Sequence, residues 1–282
     1  MGLLLGVIGN PIKHSLSPWI HEQFFELTET KGVYRPFEIK EEKLEHSLEV
    51  FKMMGVDGFN VTIPYKEKVM EYLDQIDEEA QKIGAVNTVV NNEGKWLGYN
   101  TDGKGYWRSL QSAYPHLLQD IKSKKVLIIG AGGAARGVYR SINNAGFLHV
   151  DICNRTVERA HILKMIKNHN VKTDILSLKE AEANIHVYDL IIQTTNIGMV
   201  PHISMEPLKL QKLKSNTIVS DIIYNPLETQ FLSNAKRLGA HVHFGHGMLL
   251  YQAALSFELW SGKHVNPSSI YPRLEQKLKG GS

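Results

Sequence analysis

Residues 126–137 read VLIIGAGGAARG, and the fold turns on this stretch. Four apolar residues run straight into Gly130, Gly132 and Gly133, and a helical pattern follows. A short apolar run bounded by glycine reads as a strand buried on both faces. Gly130 suits the tight turn that leaves such a strand, and Gly132 lets a backbone approach a pyrophosphate. Ala135 stands where the dinucleotide fingerprint accepts Gly or Ala for close helix packing. The phosphates would then meet a helix N-terminus, whose unpartnered N–H groups and dipole attract negative charge. Strand before and helix after supply the context that a bare glycine triplet lacks.

The end of the following strand selects the dinucleotide. An NAD site wants Asp or Glu there, to accept hydrogen bonds from the ribose hydroxyls. Here VDIC runs into Asn154, Arg155 and Thr156, with Arg159 one turn later, while the nearest acid, Asp151, lies inside the strand. Arginine forks, planar and permanently charged, suit a phosphate, and Asn154 and Thr156 add neutral hydrogen bonds. The alternative is that Thr156 caps the next helix and both arginines are merely solvated. After a glycine loop, the cluster favours NADP.

Working outward, strand-like and helix-like segments alternate along nearly the whole chain, which indicates α/β layers with a mainly parallel sheet. A first series pairs LLLGVIG with SPWIHEQFFELT, VYRPFEI with KEEKLEHSLEVFKMM, and DGFNVTI with YKEKVMEYLD. AVNTVVN and KWLGYN follow, joined by the turn-forming Asn92, Glu93 and Gly94, and read as a hairpin. TDGKGYWRSLQSAY reads as a helix ending before Pro115. The second series holds KKVLIIG, VDIC with its helix, VYDLIIQTT, NTIVSDIIY and HVHFG. Two closing helices, GMLLYQAALSFELW and SSIYPRLEQKL, have no strand after them and need a surface to cover. The closing GGS reads either as a frayed tail or as an addition foreign to the natural chain.

The totals exclude several classes. The 282 residues suffice for about two domains. A formal charge of +3 is too balanced for a nucleic-acid scaffold and fits a small anionic ligand better. The single cysteine, Cys153, rules out an internal disulfide framework and reads as a small core hydrophobe. LLLGVIG lacks a cationic flank and stops at Asn10 and Pro11, so it reads as a first strand rather than a signal peptide. No apolar run reaches the length of a membrane span. A reducing, cytoplasmic compartment follows.

NVTIPYK, residues 60–66, places Lys66 where KEKVMEYL would begin a helix. A helix N-terminus and partial burial both penalise an ammonium, and a lysine so placed is a candidate proton donor to the oxyanion that forms as a carbonyl receives hydride. Asp102 in YNTDG could orient that ammonium, although alone it reads as an N-cap.

Together these segments resemble the shikimate dehydrogenase family over nearly the whole chain. The matching pieces are GNPIKHSLSP, NVTIPYK, GAVNT, NTDG, GAGGAAR, NRT, TNIGM, DIIYNPLET and GMLLYQA, in family order. The resemblance implies an NADPH-dependent, reversible reduction of 3-dehydroshikimate to shikimate on the route to chorismate and the aromatic amino acids. It implies an α/β fold of two domains with the active-site cleft between them: a substrate domain from residues 1–103 and 245–282, and a Rossmann-like NADP-binding domain from residues 104–244. Carried over by position, Lys66 and Asp102 are catalytic. Ser15, Ser17, Thr62, Asn87, Asp102, Tyr224 and Gln252 bind substrate. Gly130, Ala131, Gly132, Gly133 and Ala134 cradle the pyrophosphate, Asn154, Arg155, Thr156 and Arg159 hold the adenosine phosphate, and Ile222 and Gly245 line the nicotinamide end. Glu78 matches a position sometimes associated with cofactor.

Ser, Thr, Asn, Tyr and Gln also suit the carboxylate and hydroxyls of shikimate on chemical grounds, since a site built to bond hydroxyls rejects analogues that lack them. Ser17 as an N-cap, Asn87 as a hairpin residue and Gln252 as a polar face position are the structural alternatives. HVHFGH places His241 and His243 on one strand face with His246 near, but the family needs no metal and none is expected. The small-molecule substrate is the expected partner, with neither nucleic acid nor membrane, in a monomer or homodimer. The rival readings are a quinate/shikimate dehydrogenase of dual specificity and a non-catalytic NADPH-sensing module.

Overall fold

The computed structural model describes residues 2–116 and 118–280; Gly281 and Ser282 of the closing GGS lie outside the described residues. Packing divides the chain into two compact units. One comprises the chain up to Thr101 with Gln252–Ile270, the other Asp102–Tyr251 with the segment from Tyr271 onward.

The first unit opens with β1 (Leu3–Gly9), α1 (Ser17–Leu27), β2 (Gly32–Glu38), α2 (Leu44–Met53) and β3 (Gly58–Val61). It continues with β4 (Gln75–Ile76), α3 (Glu78–Ile83), β5 (Thr88–Asn92) and β6 (Lys95–Tyr99). These strands form a six-stranded sheet in the order β2-β1-β3-β5-β6-β4. β1 pairs parallel with β2 and β3, and β4 parallel with β6, whereas β5 runs antiparallel to both its neighbours. Pro36 is tolerated because β2 is an edge strand, where a missing N–H leaves no ladder bond unmade. The expected hairpin is present: Asn92 pairs with Lys95 across Glu93 and Gly94, whose φ values of 53° and 82° are those of a type I′ turn. The core gathers Leu44, Leu48 and Phe51 of α2 with Ile8, Phe59, Val61, Val89 and Trp96 of the sheet.

The helix expected from Lys66 is not formed. Val86 donates its N–H to the Lys66 carbonyl at 2.8 Å, taking the acceptor that an α-helix would offer to Met70. Met70 turns instead to the Glu67 carbonyl, and only a 3₁₀ helix, Lys68–Tyr72, results. Lys66 therefore lies in a turn rather than at the N-terminus of an α-helix, and the macrodipole expected to act on its ammonium is absent.

The second unit begins at α4 (Asp102–Ala113) and continues with β7 (Lys125–Ile129), α5 (Gly133–Ala145), β8 (His149–Cys153), α6 (Val157–Met165) and β9 (Ile175–Leu176). Then come α7 (Leu178–Ala183), β10 (Leu190–Gln193), β11 (Ile218–Asp221), α8 (Gln230–Arg237) and β12 (His241–His243). The helix α9 (Gly245–Ser261) follows, its residues up to Tyr251 belonging to this unit and those from Gln252 to the first, and α10 (Tyr271–Leu278) is the last element. The second sheet is ordered β12-β11-β10-β7-β8-β9 with every pairing parallel. Counted from β7, this is the 3-2-1-4-5-6 order of the dinucleotide-binding fold. Val126 and Ile128 point into one core with Val138, Tyr139 and Ile142 of α5, whereas Leu127 and Ile129 point into another with Phe231, Leu232 and Ala235 of α8. Burial on both faces explains the unbroken apolar runs. The crossover from β10 to β11 contains no helix; Pro201 and Pro207 break that stretch, and Leu208 anchors it to the core.

Candidate active-site elements

In the first unit, the register of the strands puts the candidate substrate residues at one end of the sheet. β1 and β3 run parallel, with Ile8 opposite Val61, so the loop bearing Ser15 and Ser17 leaves β1 beside the point where Thr62 leaves β3. Asn60 pairs with Thr88, and Thr88 with Tyr99, so Asn87 and Thr101 lie at that end too. In α/β sheets ligands collect at the carboxyl ends of the parallel strands.

Ser17 is the first residue of α1, and Leu16 occupies the N-cap position without a side-chain cap bond, so the N-cap alternative for Ser17 is not realised. Ser15 Oγ accepts the Ser17 N–H at 3.2 Å. No acidic residue stands in the first turn of α1. This positive helix end, flanked by two hydroxyls, suits a carboxylate. Thr62 is half-buried; its N–H donates to the Ile8 carbonyl and its own carbonyl accepts from Tyr65. Lys66 is half-buried, held beside Asn87 through the bond from Val86.

Asn87 and Gln252 meet directly: Asn87 Nδ2 donates to Gln252 Oε1 at 3.2 Å and to Thr101 Oγ1 at 2.9 Å. Asn87 Oδ1 accepts from the Thr101 N–H at 2.8 Å and from Thr88 Oγ1 at 3.0 Å. Asn60 Nδ2 bonds the Asn87 carbonyl, Thr88 Oγ1 and Ser256 Oγ at 3.0, 3.1 and 3.1 Å, and Asn60 Oδ1 accepts from the Tyr34 hydroxyl at 2.7 Å. Asn60, Thr88, Thr101 and Ser256 of this buried network were not singled out as site residues from the sequence. The first three lie within the quoted motifs NVTIPYK, GAVNT and NTDG; Ser256 lies one helical turn beyond Gln252, a spacing that could have exposed it. Glu78, in the first turn of α3, instead forms a surface ion pair with Lys82 at 2.6 Å.

In the second unit the glycine loop leaves β7 next to β10, where the strand order reverses. Gly130 has φ of 114°, and a Cβ there would stand 2.6 Å from Thr194 Oγ1, so both conformation and packing require glycine. At Gly132, the N-cap of α5, a Cβ would meet no described atom within 4 Å. The space above that backbone, at the mouth of a helix N-terminus, fits a pyrophosphate. Ala135 is fully buried in the core beneath, as the fingerprint requires.

Asp151 is engaged within the sheet, accepting from the Asp174 N–H at 3.0 Å and the Tyr188 hydroxyl at 2.9 Å. Arg155, Thr156 and Arg159 are exposed, and Asn154 Nδ2 donates to the Thr156 carbonyl at 2.6 Å. Thr156 stands at the N-cap of α6 but makes no side-chain cap bond, so its hydroxyl is not spent on the helix. This donor set suits an adenosine phosphate.

Two buried residues that the sequence reading passed over organise the neighbouring loops. Gln193 ends β10 and bonds Thr195 and Ile197 through both ends of its amide. Asp221 ends β11 and accepts from the Ile223 N–H at 2.9 Å and from Thr229 Oγ1 at 2.8 Å, pinning both ends of the loop that carries Ile222 and Tyr224. Burial pushes the Asp221 carboxyl up to about 7 and raises the Tyr224 phenol. Gly245 packs on the Ile222 backbone so closely that a Cβ would lie 2.3 Å from its carbonyl oxygen. Asp102 is the first residue of α4 and is buried.

His243 is bonded at both ring nitrogens, Nδ1 with Ser220 Oγ at 2.8 Å and Nε2 with Ser109 Oγ at 2.9 Å, and burial lowers it to about 3. Each ring nitrogen thus has a serine hydroxyl as partner, one as acceptor from the ring N–H and one as donor to the ring lone pair. Cys153 is buried in the core as expected, its thiol pushed up to about 12 by desolvation.

Three sequence models match the chain: the shikimate dehydrogenase substrate binding domain over residues 7–89, shikimate/quinate 5-dehydrogenase over residues 113–224, and the shikimate 5′-dehydrogenase C-terminal domain over residues 245–275. The shikimate dehydrogenase (NADP(+)) of Oceanobacillus iheyensis is 47% identical over 281 residues, covering 99% of this chain and all of the relative. A shikimate dehydrogenase solved in complex with NADP+ superposes with a TM-score of 0.89 at 39% identity, covering 98% of this chain and 96% of the other. The shikimate 5-dehydrogenase of Thermus thermophilus, solved with NADP(H) and shikimate, gives 0.84 at 33% identity over 99% of both chains.

Proposed function

This chain belongs to the shikimate dehydrogenase family, and we propose that it reduces the keto group of 3-dehydroshikimate through Lys66 as proton donor and Asp102 as its partner. It is an NADP-dependent oxidoreductase acting on a secondary alcohol, in the pathway toward chorismate and the aromatic amino acids. When bound, NADPH supplies the hydride that reaches the carbonyl carbon. The Lys66 ammonium gives a proton to the carbonyl oxygen as negative charge gathers there, which leaves a neutral amine to be recharged from water. Asp102 holds and orients that ammonium in the substrate complex. Ser15 and Ser17, at the start of α1, bind the substrate carboxylate, while Thr62, Asn87, Tyr224 and Gln252 bond its hydroxyls. Gly130–Ala134 hold the pyrophosphate, and Asn154, Arg155, Thr156 and Arg159 the adenosine phosphate; Ile222 and Gly245 adjoin the nicotinamide. Glu78, assigned to the cofactor by the resemblance, is engaged with Lys82 at the surface.

The observation that carries the reading is the Asn87–Gln252–Thr101 cluster, neutral donors and acceptors gathered at the carboxyl end of a sheet. Such a lining recognises hydroxyls and discriminates against analogues that lack them. The catalytic assignment is tested with Lys66→Ala, assayed by NADPH consumption with 3-dehydroshikimate. A general acid contributes about 10²–10⁴-fold, so kcat falls by that order while KM changes less. An unchanged kcat would remove Lys66 from the mechanism. Parallel assays with quinate and NAD separate the shikimate reading from dual specificity. We place the enzyme in the cytoplasm as a monomer or homodimer, which size-exclusion chromatography with light scattering resolves; among the described residues no helix is long and apolar enough to cross a membrane.

A further inference from the structure

Thr88, Thr101 and Ser256 are fully or almost fully buried, and their hydroxyls close a circuit on Asn87. One fixed donor, a backbone N–H, sets the orientation of the Asn87 amide. Thr101 N–H can only donate, so the atom it meets at 2.8 Å is the Asn87 carbonyl oxygen, and the other end of that amide is NH₂. Asn87 Nδ2 then donates to Thr101 Oγ1 at 2.9 Å. Thr101 Oγ1 lies 3.1 Å from Ser256 Oγ, Ser256 Oγ lies 2.7 Å from Thr88 Oγ1, and Thr88 Oγ1 donates to Asn87 Oδ1 at 3.0 Å. With each hydroxyl passing its proton in the same sense, the chain leaves the Asn87 NH₂ and returns to the Asn87 carbonyl. Asn60 Nδ2 adds a donor to Ser256 Oγ at 3.1 Å.

We propose that Ser256 is a positioning residue for substrate recognition: it closes a hydrogen-bond ring with Thr101 and Thr88 that locks the orientation of the Asn87 side-chain amide toward the substrate hydroxyls. This rests on the reading of Asn87 as a substrate ligand. The physical reasons are two. An aligned ring of hydrogen bonds in a dry interior is cooperative, each bond polarising the next, so opening it at one point weakens all of them. An amide whose two ends differ must also be held against a flip, because the flipped form would present a donor where the substrate expects an acceptor.

The experiment compares Ser256→Ala, Thr88→Val, the double variant and Asn87→Ala in steady-state kinetics with shikimate and with NADP+, alongside thermal melts. Opening the ring raises the KM for shikimate about tenfold in either single variant, with kcat and the KM for NADP+ little changed. The double variant adds less than the product of the two singles, because the second substitution acts on a ring already open. A lowered melting temperature with an unchanged KM for shikimate would show Ser256 to be structural only and would overturn the proposal. So would effects that simply multiply. Asn87→Ala keeps the outcomes apart: if it raises that KM and Ser256→Ala does not, the ring is wrong; if Asn87→Ala leaves the KM unchanged, the ligand assignment beneath it is wrong and the ring falls with it. Should Ser256→Ala fail to fold, the near-isosteric Thr88→Val carries the same kinetic test.

Discussion

Mild acid is expected to unfold this protein through its buried imidazoles. His21, His243 and His246 are 0%, 2% and 1% exposed. Burial lowers His21 to about 3 against a smaller opposing pull from Asn60, His243 to about 3 with help from the neighbouring His246, and His246 to about 4. In the unfolded chain all three return to about 6.5. Below that value unfolding takes up a proton at each, so their stabilising contribution is complete above pH ~6.5 and is lost as pH falls toward the folded values. Asp221 acts with the opposite sign. Its carboxyl is raised to about 7, so between about pH 4 and 7 it is protonated in the native state and ionised in the unfolded one, and unfolding releases a proton. Three protons gained and one lost leave a net uptake of two, which corresponds to a loss of about 3 kcal/mol per pH unit near pH 5. Against a total stability on the order of 5–15 kcal/mol, two pH units consume a large share. Urea denaturation followed by circular dichroism between pH 7 and 5 measures the slope. His21→Phe, which keeps the ring stack on Tyr34 at 4.1 Å, removes one proton and should halve it. A flat urea midpoint over that range, or an unaltered slope in the variant, would refute the reasoning.

Arg155→Ala should raise the KM for NADPH about fivefold and leave that for NADH unchanged; the guanidinium is solvent-exposed, so the proposed contact with the cofactor phosphate would be worth about 1 kcal/mol, and equal effects on both cofactors would argue against the assignment. Gly103→Ala puts a Cβ 2.1 Å from the Gly137 carbonyl oxygen and must force α4 from α5, costing about 3 kcal/mol or more and lowering the melting temperature by roughly 6–10 °C, visible by scanning calorimetry. Glu93→Asn should stabilise the hairpin by about 0.5–1 kcal/mol, because φ of 53° strains glutamate more than asparagine; a lower urea midpoint would contradict this.

The second sheet was legible because its strands are buried on both faces and announce themselves as apolar runs, and because the glycine loop fixes where β7 ends. The two-residue strands β4 and β9 and the short helices α3 and α7 left too little periodicity to be read. The segment after Pro64 misled for a different reason: KEKVMEYL has helical spacing, but a tertiary bond from Val86 claims the carbonyl that the helix needs. Among the candidate site residues, Arg155 is named from its type and its place after the second strand of the dinucleotide-binding unit, whereas Asn87 and Gln252 are named only through the family resemblance. Their supports could be named from neither. Ser256 and Asn60 are 196 residues apart, and nothing local in either segment records the bond that joins them. Asp221 and Gln193 likewise look like ordinary strand ends until their partners fold onto them.

That long separation also governs how the protein comes into being on the ribosome. Trp260 closes over Gly58 and donates its indole N–H to the Val89 carbonyl at 2.9 Å, while Phe257 covers Phe24 and Phe25. The β-sheet of residues 3–99 therefore emerges long before the helix that seals it. Throughout that interval the nascent sheet carries uncovered aromatic surface, which is the condition under which partly folded chains aggregate or recruit chaperones. The interval between synthesis of the sheet and synthesis of α9 is therefore the period in which the chain is most exposed to misassembly.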